Sequence, residues 1–201
     1  VLSTSNDNNG SVVLSVTSAR TTTVAQKSVN VTVTVQKYTN SLSWTGSTPA
    51  NNAELAYGTS YTATATAATN GGTNGAITYS SGTTATMTIN STSGVISLLK
   101  ADGSTSVITA SMARTSTVKA ATTTRTFKTK KGTCPTPTSL AVSTAGAVTW
   151  TQPSAASSSQ ISIDNSTYTA ATTGVIYNST ITASTGTRTV YVRSVCDTTY
   201  Y

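Results

Sequence analysis

A six-residue segment occurs twice in the chain and constrains the fold more than any other feature. Residues 19–24 have the sequence ARTTTV and residues 113–118 have the sequence ARTSTV, so the two copies lie 94 residues apart. Similarity at a fixed period indicates a modular array, in which each module is one structural unit. We therefore predict that residues 1–38 form the C-terminal half of a module and that residues 39–132 form one complete copy.

Composition favours strands over helices. The chain is rich in Ser and Thr, and only 8% of its residues are charged. Runs in which Val, Ile, Thr and Tyr alternate with polar residues are separated by short Gly, Asn and Ser clusters, which is typical of β-sandwiches. Disorder is the alternative for a chain of low charge and low complexity, and the alternation argues against it. The predicted fold class is all-β, arranged as tandem sandwiches.

The predicted half-module at residues 1–38 contains an amphipathic strand. In residues 29–35 every second residue is valine, so the valines share one face of the strand. A sheet with one apolar face buries that face against another layer. The partner layer is expected from an upstream segment, from another chain or from the next module.

Three short motifs follow one another in the predicted complete copy. They are ITYSS at residues 77–81, ATMTIN at residues 85–90 and SGVI at residues 93–96, and a closing strand comes after them. This order resembles bacterial immunoglobulin-like modules, in which Tyr-Ser-Ser, Ala-Thr-Val and Gly-Val-Ile strands recur, with Met87 here in place of the usual valine. The resemblance implies an immunoglobulin-like sandwich over residues 39–132 and says nothing about a ligand.

The last part of the chain carries a motif at each of its ends. It opens with CPTP at residues 134–137 and closes with VRSVC at residues 192–196. Both motifs are similar to those of fibronectin type III modules in secreted proteins of Bacteroidetes-type bacteria. The resemblance implies a fibronectin III-like sandwich over residues 133–201 that lacks its last strand.

Cys134 and Cys196 are the only cysteines. An even number of cysteines in a β-module of extracellular type predicts a disulfide, which closes a loop long enough to contribute about 4 kcal/mol. Two buried free thiols are the alternative. A zinc site is not expected, because the chain has no histidine and no further thiolate to complete a tetrahedral set.

The remaining side chains do not form a recognisable catalytic set. The lack of histidine removes the usual Ser-His and Cys-His nucleophile pairs. Glycoside hydrolysis uses two carboxylates beside the scissile bond, and the chain has only five acids: Asp7, Glu54, Asp102, Asp164 and Asp197. Residues 6–9 (NDNN) are a candidate calcium cluster, and an ordinary turn is the competing explanation. We expect no enzymatic activity, no cofactor and no metal.

Basic residues give the chain a formal net charge of +7. Lys128, Lys130 and Lys131 alternate with or follow strand-type residues, which predicts an exposed edge protected by lysines or a joint between modules. Nucleic-acid binding is the alternative, and it is disfavoured because few aromatic residues or arginines accompany the lysines as stacking groups.

Two tryptophans and one threonine are further candidates. Trp44 and Trp150 fall in predicted strands and are expected in the cores of their modules, with a carbohydrate-stacking platform as the alternative. Thr198 belongs to Asp-Thr-Thr, which resembles the O-glycosylation acceptor of Bacteroidetes-type bacteria. Thr198 is therefore a candidate glycosylation residue.

These features predict a non-enzymatic structural or adhesive segment of a long extracellular modular surface protein or filament. Its expected partners are other copies or modules of the same polypeptide, with surface glycans or host proteins as candidates, and neither nucleic acid nor direct membrane insertion is expected. The alternatives are a bacteriophage virion fibre or decoration protein and the accessory modules of a secreted hydrolase. The expected location is extracellular, at the cell surface, or in the virion under the phage alternative.

Overall fold

The regular structure of the chain consists of β-strands. A computed structural model describes residues 10–176 and 189–201, and these contain no helix. The predicted all-β class is confirmed. In chain order the strands are β1 (Gly10–Thr17), β2 (Ser28–Val35), β3 (Leu42–Trp44), β4 (Ala53–Ala56), β5 (Tyr61–Thr62), β6 (Ala65–Ala67), β7 (Ile77–Ser81), β8 (Met87–Ile89), β9 (Val95–Leu98), β10 (Thr105–Met112), β11 (Ala121–Lys130), β12 (Thr138–Val142), β13 (Ala147–Thr151), β14 (Ala156–Ser162), β15 (Thr169–Ala171), β16 (Val175–Ile176) and β17 (Tyr191–Cys196).

The described strands form several small sheets of two to four strands each. Their orders are β1-β2, β4-β11-β10-β7, β3-β6, β5-β9-β8, β12-β13-β16 and β15-β14-β17. Nearly all pairs are antiparallel, and β4 with β11 is the parallel pair among the named strands. We refer below to residues 10–38 as the hairpin segment, to residues 39–132 as the central segment and to residues 133–201 as the C-terminal segment.

The sequence repeat is also a repeat of strand pairing. Ser11 of β1 pairs with Thr34 of β2. Exactly one period later, Thr105 of β10 pairs with Lys128 of β11. The two hairpins therefore have the same register at the 94-residue offset, although the hairpin segment is far more exposed than β10 and β11.

The repeated six-residue segment forms the same turn in both hairpins. In the first copy the Thr21 N–H donates to the Val24 carbonyl at 3.2 Å, and the Val24 N–H donates to Thr21 Oγ1 at 3.0 Å. In the second copy Thr115 and Val118 make the same two hydrogen bonds at 2.9 and 3.0 Å. The hydroxyl in the third position of the motif thus holds the turn, which explains why threonine occupies it in both copies.

The core of the central segment is formed by side chains from several of its sheets. One buried cluster joins β3, β6, β7 and β10 and consists of Leu42, Ala65, Tyr79, Ala110, Met112 and Val118. A second cluster draws on β4, β8, β9, β10 and β11 and consists of Leu55, Ala63, Met87, Ile96, Ile108 and Phe127. Trp44 is half-buried and packs against both clusters, as expected of a core tryptophan.

The alternating run at residues 61–67 is divided between two sheets, whereas its pattern predicts a single strand. β5 pairs with β9, and β6 pairs with β3. At the division, Thr48 takes the place of a neighbouring strand, because its hydroxyl accepts the Thr64 N–H and donates to the Thr64 carbonyl, both at 2.9 Å. Two-residue periodicity cannot reveal such a change of partner, since alternation continues through it.

The lysines of β11 do not lie on a sheet edge. β11 pairs with β10 on one side and with β4 on the other, so the predicted lysine-protected edge is wrong for Lys128 and Lys130. Instead, Glu54 of β4 lies 3.4 Å from the Lys128 ammonium and 3.9 Å from that of Lys130. All three side chains are about half exposed, and such pairs contribute at most about 1 kcal/mol.

The C-terminal segment has a smaller core around Trp150. Val148, Trp150 and Ile161 are buried together, and Ala171, Val190 and Val192 pack against them. The indole N–H of Trp150 donates to Ser159 Oγ at 3.0 Å, so the buried ring keeps its polar atom satisfied. The expectation that Trp150 belongs to a core is confirmed.

Candidate functional site

The first joint of the chain connects the hairpin segment to the central segment. The Tyr38 N–H donates to the Thr117 carbonyl at 2.8 Å, and the Lys119 N–H donates to the Tyr38 carbonyl at 2.9 Å. These bonds form a parallel bridge between Tyr38 and Val118. The linker that follows β2 is therefore held against the repeated turn of the central segment by main-chain hydrogen bonds.

Asn40 fastens the same linker to a second loop. Its side chain is 1% exposed. The Asn40 amide donates to the Gly71 carbonyl at 3.0 Å and to Asn74 Oδ1 at 2.7 Å, and its oxygen accepts the Asn70 N–H at 3.2 Å. Tyr38 lies so close to Gly71 that a Cβ added there would be 2.4 Å from a Tyr38 ring carbon. A buried amide side chain that makes three hydrogen bonds fixes the linker and this loop in one relative arrangement.

The second joint connects the central and C-terminal segments at the equivalent repeat position. Gly132 follows Tyr38 by 94 residues, and its N–H donates to the Tyr200 carbonyl at 2.9 Å. The neighbouring Lys131 donates its ammonium to the Thr198 carbonyl. Lys131 therefore lies at a joint. The sequence predicts either an exposed edge or a joint for this residue.

Three tyrosines pack around the second joint. The Tyr57 and Tyr200 rings stack with centroids 4.5 Å apart, and Tyr201 meets Tyr57 edge-on at 5.7 Å. Aromatic pairs in these geometries contribute about 0.5–1.5 kcal/mol each beyond the area that they bury. The Tyr200 and Tyr201 N–H groups both donate to the Asp197 carbonyl. These hydrogen bonds form a turn from which both rings contact Tyr57.

The carboxylate of Asp197 stabilises that turn. It accepts the Thr199 N–H at 2.8 Å, and this hydrogen bond is the main reason that the pKa of Asp197 is lowered from its ordinary value. Beside the tyrosines lies a cleft of about 390 Å³ whose lining includes Tyr57, Thr133 and Ser154. The lining residues are all neutral, so the cleft offers hydroxyl and aromatic contacts rather than acid–base chemistry.

The predicted cysteine pair is present as a disulfide that closes around the second joint. Cys134 and Cys196 are bonded, with Cα atoms 5.8 Å apart and a sequence separation of 62. Cys134 comes two residues after Gly132, and Cys196 directly precedes the Asp197 turn that carries Tyr200. The bond thus covalently links the segment that follows β11 to the end of β17, and both contribute to the joint.

Thr198, the candidate glycosylation residue, is exposed in the turn after β17. Its carbonyl is used by Lys131, and exposure leaves the side chain accessible to a modifying enzyme. Glycosylation at this position stays a prediction.

The apolar face of the hairpin segment is uncovered. Val16, Val29 and Val31 are between 51% and 69% exposed, so the next module does not cover this face among the residues described. Of the partner sources expected from the sequence, an upstream segment and another chain remain.

Sequence reasoning missed most residues of the joints. Tyr57, Tyr200, Tyr201 and Asn40 gave no local signal, because their roles depend on contacts with distant parts of the chain. The repeat itself held one signal, since Tyr38 and Gly132 both follow a lysine at the same phase of the period.

Neither a metal site nor a membrane-spanning helix is found in the described part of the chain. Residues 10–176 and 189–201 contain no group of three or more His, Cys, Asp or Glu side chains that could hold a metal ion. The same residues contain no helix of the length and hydropathy needed to cross a bilayer. The candidate calcium cluster at residues 6–9 lies outside the described residues. No protein-family model and no curated protein matches the chain.

Proposed function

We propose that the chain is a non-enzymatic structural or adhesive segment of a long extracellular modular surface protein or filament. In this proposal residues 1–38 are the C-terminal half of an immunoglobulin-like β-sandwich, residues 39–132 are a complete one, and residues 133–201 are a fibronectin III-like sandwich. The observation that carries the proposal is the pair of joints that recur at the same position of the 94-residue repeat.

The joints support a mechanical role because they restrict rotation. A flexible linker between modules behaves as a random coil and allows many relative orientations, and motion between domains is the default where few contacts cross a boundary. Here Tyr38 and Gly132 each donate a main-chain hydrogen bond to the following segment. Bonds at both joints favour an array that transmits force and keeps a distal module at a distance.

The sandwich assignment is supported by how the central clusters are built. One cluster lies between the β3-β6 sheet and the sheet that contains β10, and the other lies between that sheet and the β5-β9-β8 sheet. Side chains from two facing layers that share one core are typical of β-sandwiches. The Trp150 cluster has contributions from the sheets of β13 and of β14 and supports the same assignment for the C-terminal segment.

The extracellular setting is supported by the disulfide. Structural disulfides persist mainly in oxidising environments such as the cell exterior, and Cys134 with Cys196 forms one. Low charge and many exposed hydroxyl side chains fit a surface that meets solvent and neutral glycans. Adhesion would then use loops and sheet faces rather than one deep pocket.

Protease treatment of intact source cells, followed with an antibody against residues 39–132, tests the proposal. We expect the antigen to be lost from intact cells while cytoplasmic markers survive, and the native polypeptide that carries it to be a long modular chain without a catalytic domain. Survival of the antigen until lysis contradicts the surface location. Recovery in purified phage particles favours the virion alternative, and attachment to a hydrolase domain favours the accessory-module alternative.

A further inference from the structure

The hairpin segment has one face made almost entirely of aliphatic side chains. Cross-strand partners in an antiparallel pair share a face, and here the pairs are Val12 with Val33, Leu14 with Val31, and Val16 with Val29. The opposite face is polar apart from Val13. A contiguous apolar face with no cover marks an interaction site on a soluble protein.

The second copy of the hairpin shows what this face looks like when it is covered. Leu14 is 49% exposed, and its counterpart one period later, Ile108, is 0% exposed. Val24 in the repeated turn is 59% exposed, and its counterpart Val118 is 0% exposed. The uncovered surface of the hairpin segment therefore includes the turn as well as the strands. Val16 and Val33 likewise correspond to the buried residues Ala110 and Phe127, whereas Val29 and Val31 correspond to the half-buried polar residues Thr123 and Arg125.

The cover of the second hairpin consists of residues 42–98. On one edge, β7 pairs with residues 108–112 of β10, and on the other edge β4 pairs with residues 127–130 of β11. Between these edges, strands β3, β6, β8 and β9 lie over the apolar face. We call residues 42–98 the cover. It encloses its hairpin on three sides, with main-chain bonds at both edges and apolar contacts between them.

We propose that the apolar face of β1 and β2, together with Val24, is a docking surface for a segment of the same type as the cover. The described chain holds two hairpins of the same register and one cover, and the cover already encloses β10 and β11. Moving the cover of a second copy onto β1 and β2 exposes that copy's own β10 and β11. Exchange among copies therefore buries no additional apolar surface. The occupant is thus a cover-type segment that does not already enclose a hairpin of its own.

Direct packing of two hairpin faces against each other buries less surface than the binding of a cover. An eight-residue strand is roughly 26 Å long and a two-stranded sheet is roughly 10 Å wide, which gives a footprint of roughly 260 Å². Stable interfaces bury about 800 Å² on each partner. A cover adds backbone pairing along both edges, a recognition mode known as β-augmentation, and so gains contacts that a second hairpin face cannot supply.

The test uses the full chain and a separate peptide of residues 39–99 as the probe. We expect one peptide to bind per chain and hydrogen exchange to slow by about tenfold or more at the outer edges of the hairpin, residues 14–18 and 33–36. These residues are the counterparts of those that β7 and β4 pair with. Exchange in β10 and β11 is expected to stay unchanged, because their cover is already in place.

Two substitutions in β1 form a matched pair for this test. Val16→Asp places a carboxylate on the apolar face at a residue that is 69% exposed, and Val13→Asp places one on the opposite face at a residue that is 60% exposed. We expect Val16→Asp to weaken peptide binding by at least about tenfold and Val13→Asp to leave it unchanged. Hydrogen exchange of the free variants verifies that each hairpin is still formed.

Three results overturn the proposal. The first is that the peptide does not bind to a chain whose hairpin is formed. The second is equal weakening by Val16→Asp and Val13→Asp. The third is concentration-dependent self-association of the full chain that protects residues 14–18 without peptide, which makes a second copy the occupant. None of these outcomes depends on where the protein is located, so they are separate from the test of the proposed function.

Discussion

At the second joint, Gly132 occupies a position with no room for a Cβ atom. A Cβ at this position would lie 2.1 Å from the carbonyl oxygen of Tyr57 and 3.1 Å from a ring carbon of Tyr201. The Tyr57 oxygen is main chain and cannot rotate away. The residue with no side chain therefore lies where the main chain of the central segment passes close to itself, beside a ring of the C-terminal segment.

We predict that Gly132→Ala opens the second joint. Overpacking at a rigid contact costs about 1–3 kcal/mol, and the loss is expected as faster hydrogen exchange at Tyr200 and Tyr201. Gly46→Ala is the matched control, since a Cβ at Gly46 has no atom within 4 Å, and exposed substitutions of this kind change stability by less than about 0.5 kcal/mol. Equal exchange at the tyrosines in both variants would show that the joint does not need a glycine.

At the scale of elements, the run at residues 61–67 depends on one hydroxyl group. Thr48 is 5% exposed and bonds both backbone groups of Thr64. The Thr64 carbonyl also accepts the Thr45 N–H at 2.9 Å, so the Thr64 N–H is the group that depends on Thr48. An amide deprived of its partner in such a place costs about 1–3 kcal/mol.

We predict that Thr48→Val destabilises the central segment by about 1–3 kcal/mol, because valine keeps the shape and removes the hydroxyl. Thr48→Ser retains the hydroxyl and is expected to lose less than half as much. Urea unfolding followed by Trp44 fluorescence, in a Trp150→Phe background, measures both variants. If valine and serine have the same effect, the hydrogen bonds to Thr64 are not what holds the division between β5 and β6.

Elements with a strong local pattern were predictable from the sequence, and elements defined by distant partners were not. The alternation of β1, β2, β10 and β11 and the turn threonines indicated both hairpins, and the period tied them together. β4 was missed because it is four residues long and contains two alanines and Glu54, which have low strand propensity. It forms because it can pair with β11, and the residues around β4 in the sequence do not show that this partner exists.

The candidate site was predictable to the same limited extent. Cys134 and Cys196 are the only cysteines, so counting gave the connectivity of the predicted disulfide, and the structure shows the bond itself. The tyrosine contacts did not follow, since Tyr57 and Tyr200 are separated by most of the chain and neither lies in a motif. Lys128 and Lys130 gave a misleading signal, because alternating lysines mark many edge strands, whereas here Glu54 pairs with them across an interior strand pair.

At the scale of the whole molecule, the disulfide is expected to stabilise one segment and not the other. Cross-linking 62 positions apart restricts the unfolded chain by about 4 kcal/mol in the loop-entropy model. The closed loop spans residues 134–196 of the C-terminal segment and contains none of β3 to β11. The two tryptophans, Trp44 and Trp150, lie one in each segment and so report on them separately.

We predict that a Cys134→Ser and Cys196→Ser double variant lowers the urea midpoint seen by Trp150 by an amount equivalent to about 4 kcal/mol. The midpoint seen by Trp44 is expected to stay within experimental error. Each signal is measured with the other tryptophan replaced by phenylalanine. A parallel shift of both midpoints would mean that the two segments unfold as one cooperative unit.

The tyrosine cluster determines whether the central and C-terminal segments move as one body. The Gly132 and Lys131 bonds alone connect few atoms across the joint, whereas the ring contacts of Tyr57 with Tyr200 and Tyr201 add apolar area on both sides. Aromatic contacts of this kind contribute about 0.5–1.5 kcal/mol each. With two of them lost, the populations of open and closed joint are expected to change by roughly five- to 150-fold.

We therefore predict that backbone ¹⁵N relaxation gives one common rotational correlation time for residues 39–132 and 133–201 in the native protein. In Tyr57→Ala the two segments are expected to show separate, shorter correlation times, while their chemical shifts away from the joint remain native. Tyr191→Ala, at a tyrosine of β17 that is 36% exposed, is the control and is expected to keep the common value. Separate correlation times already in the native protein would remove the mechanical argument for a stiff array, because the main-chain bonds at Gly132 would then be too weak to couple the segments.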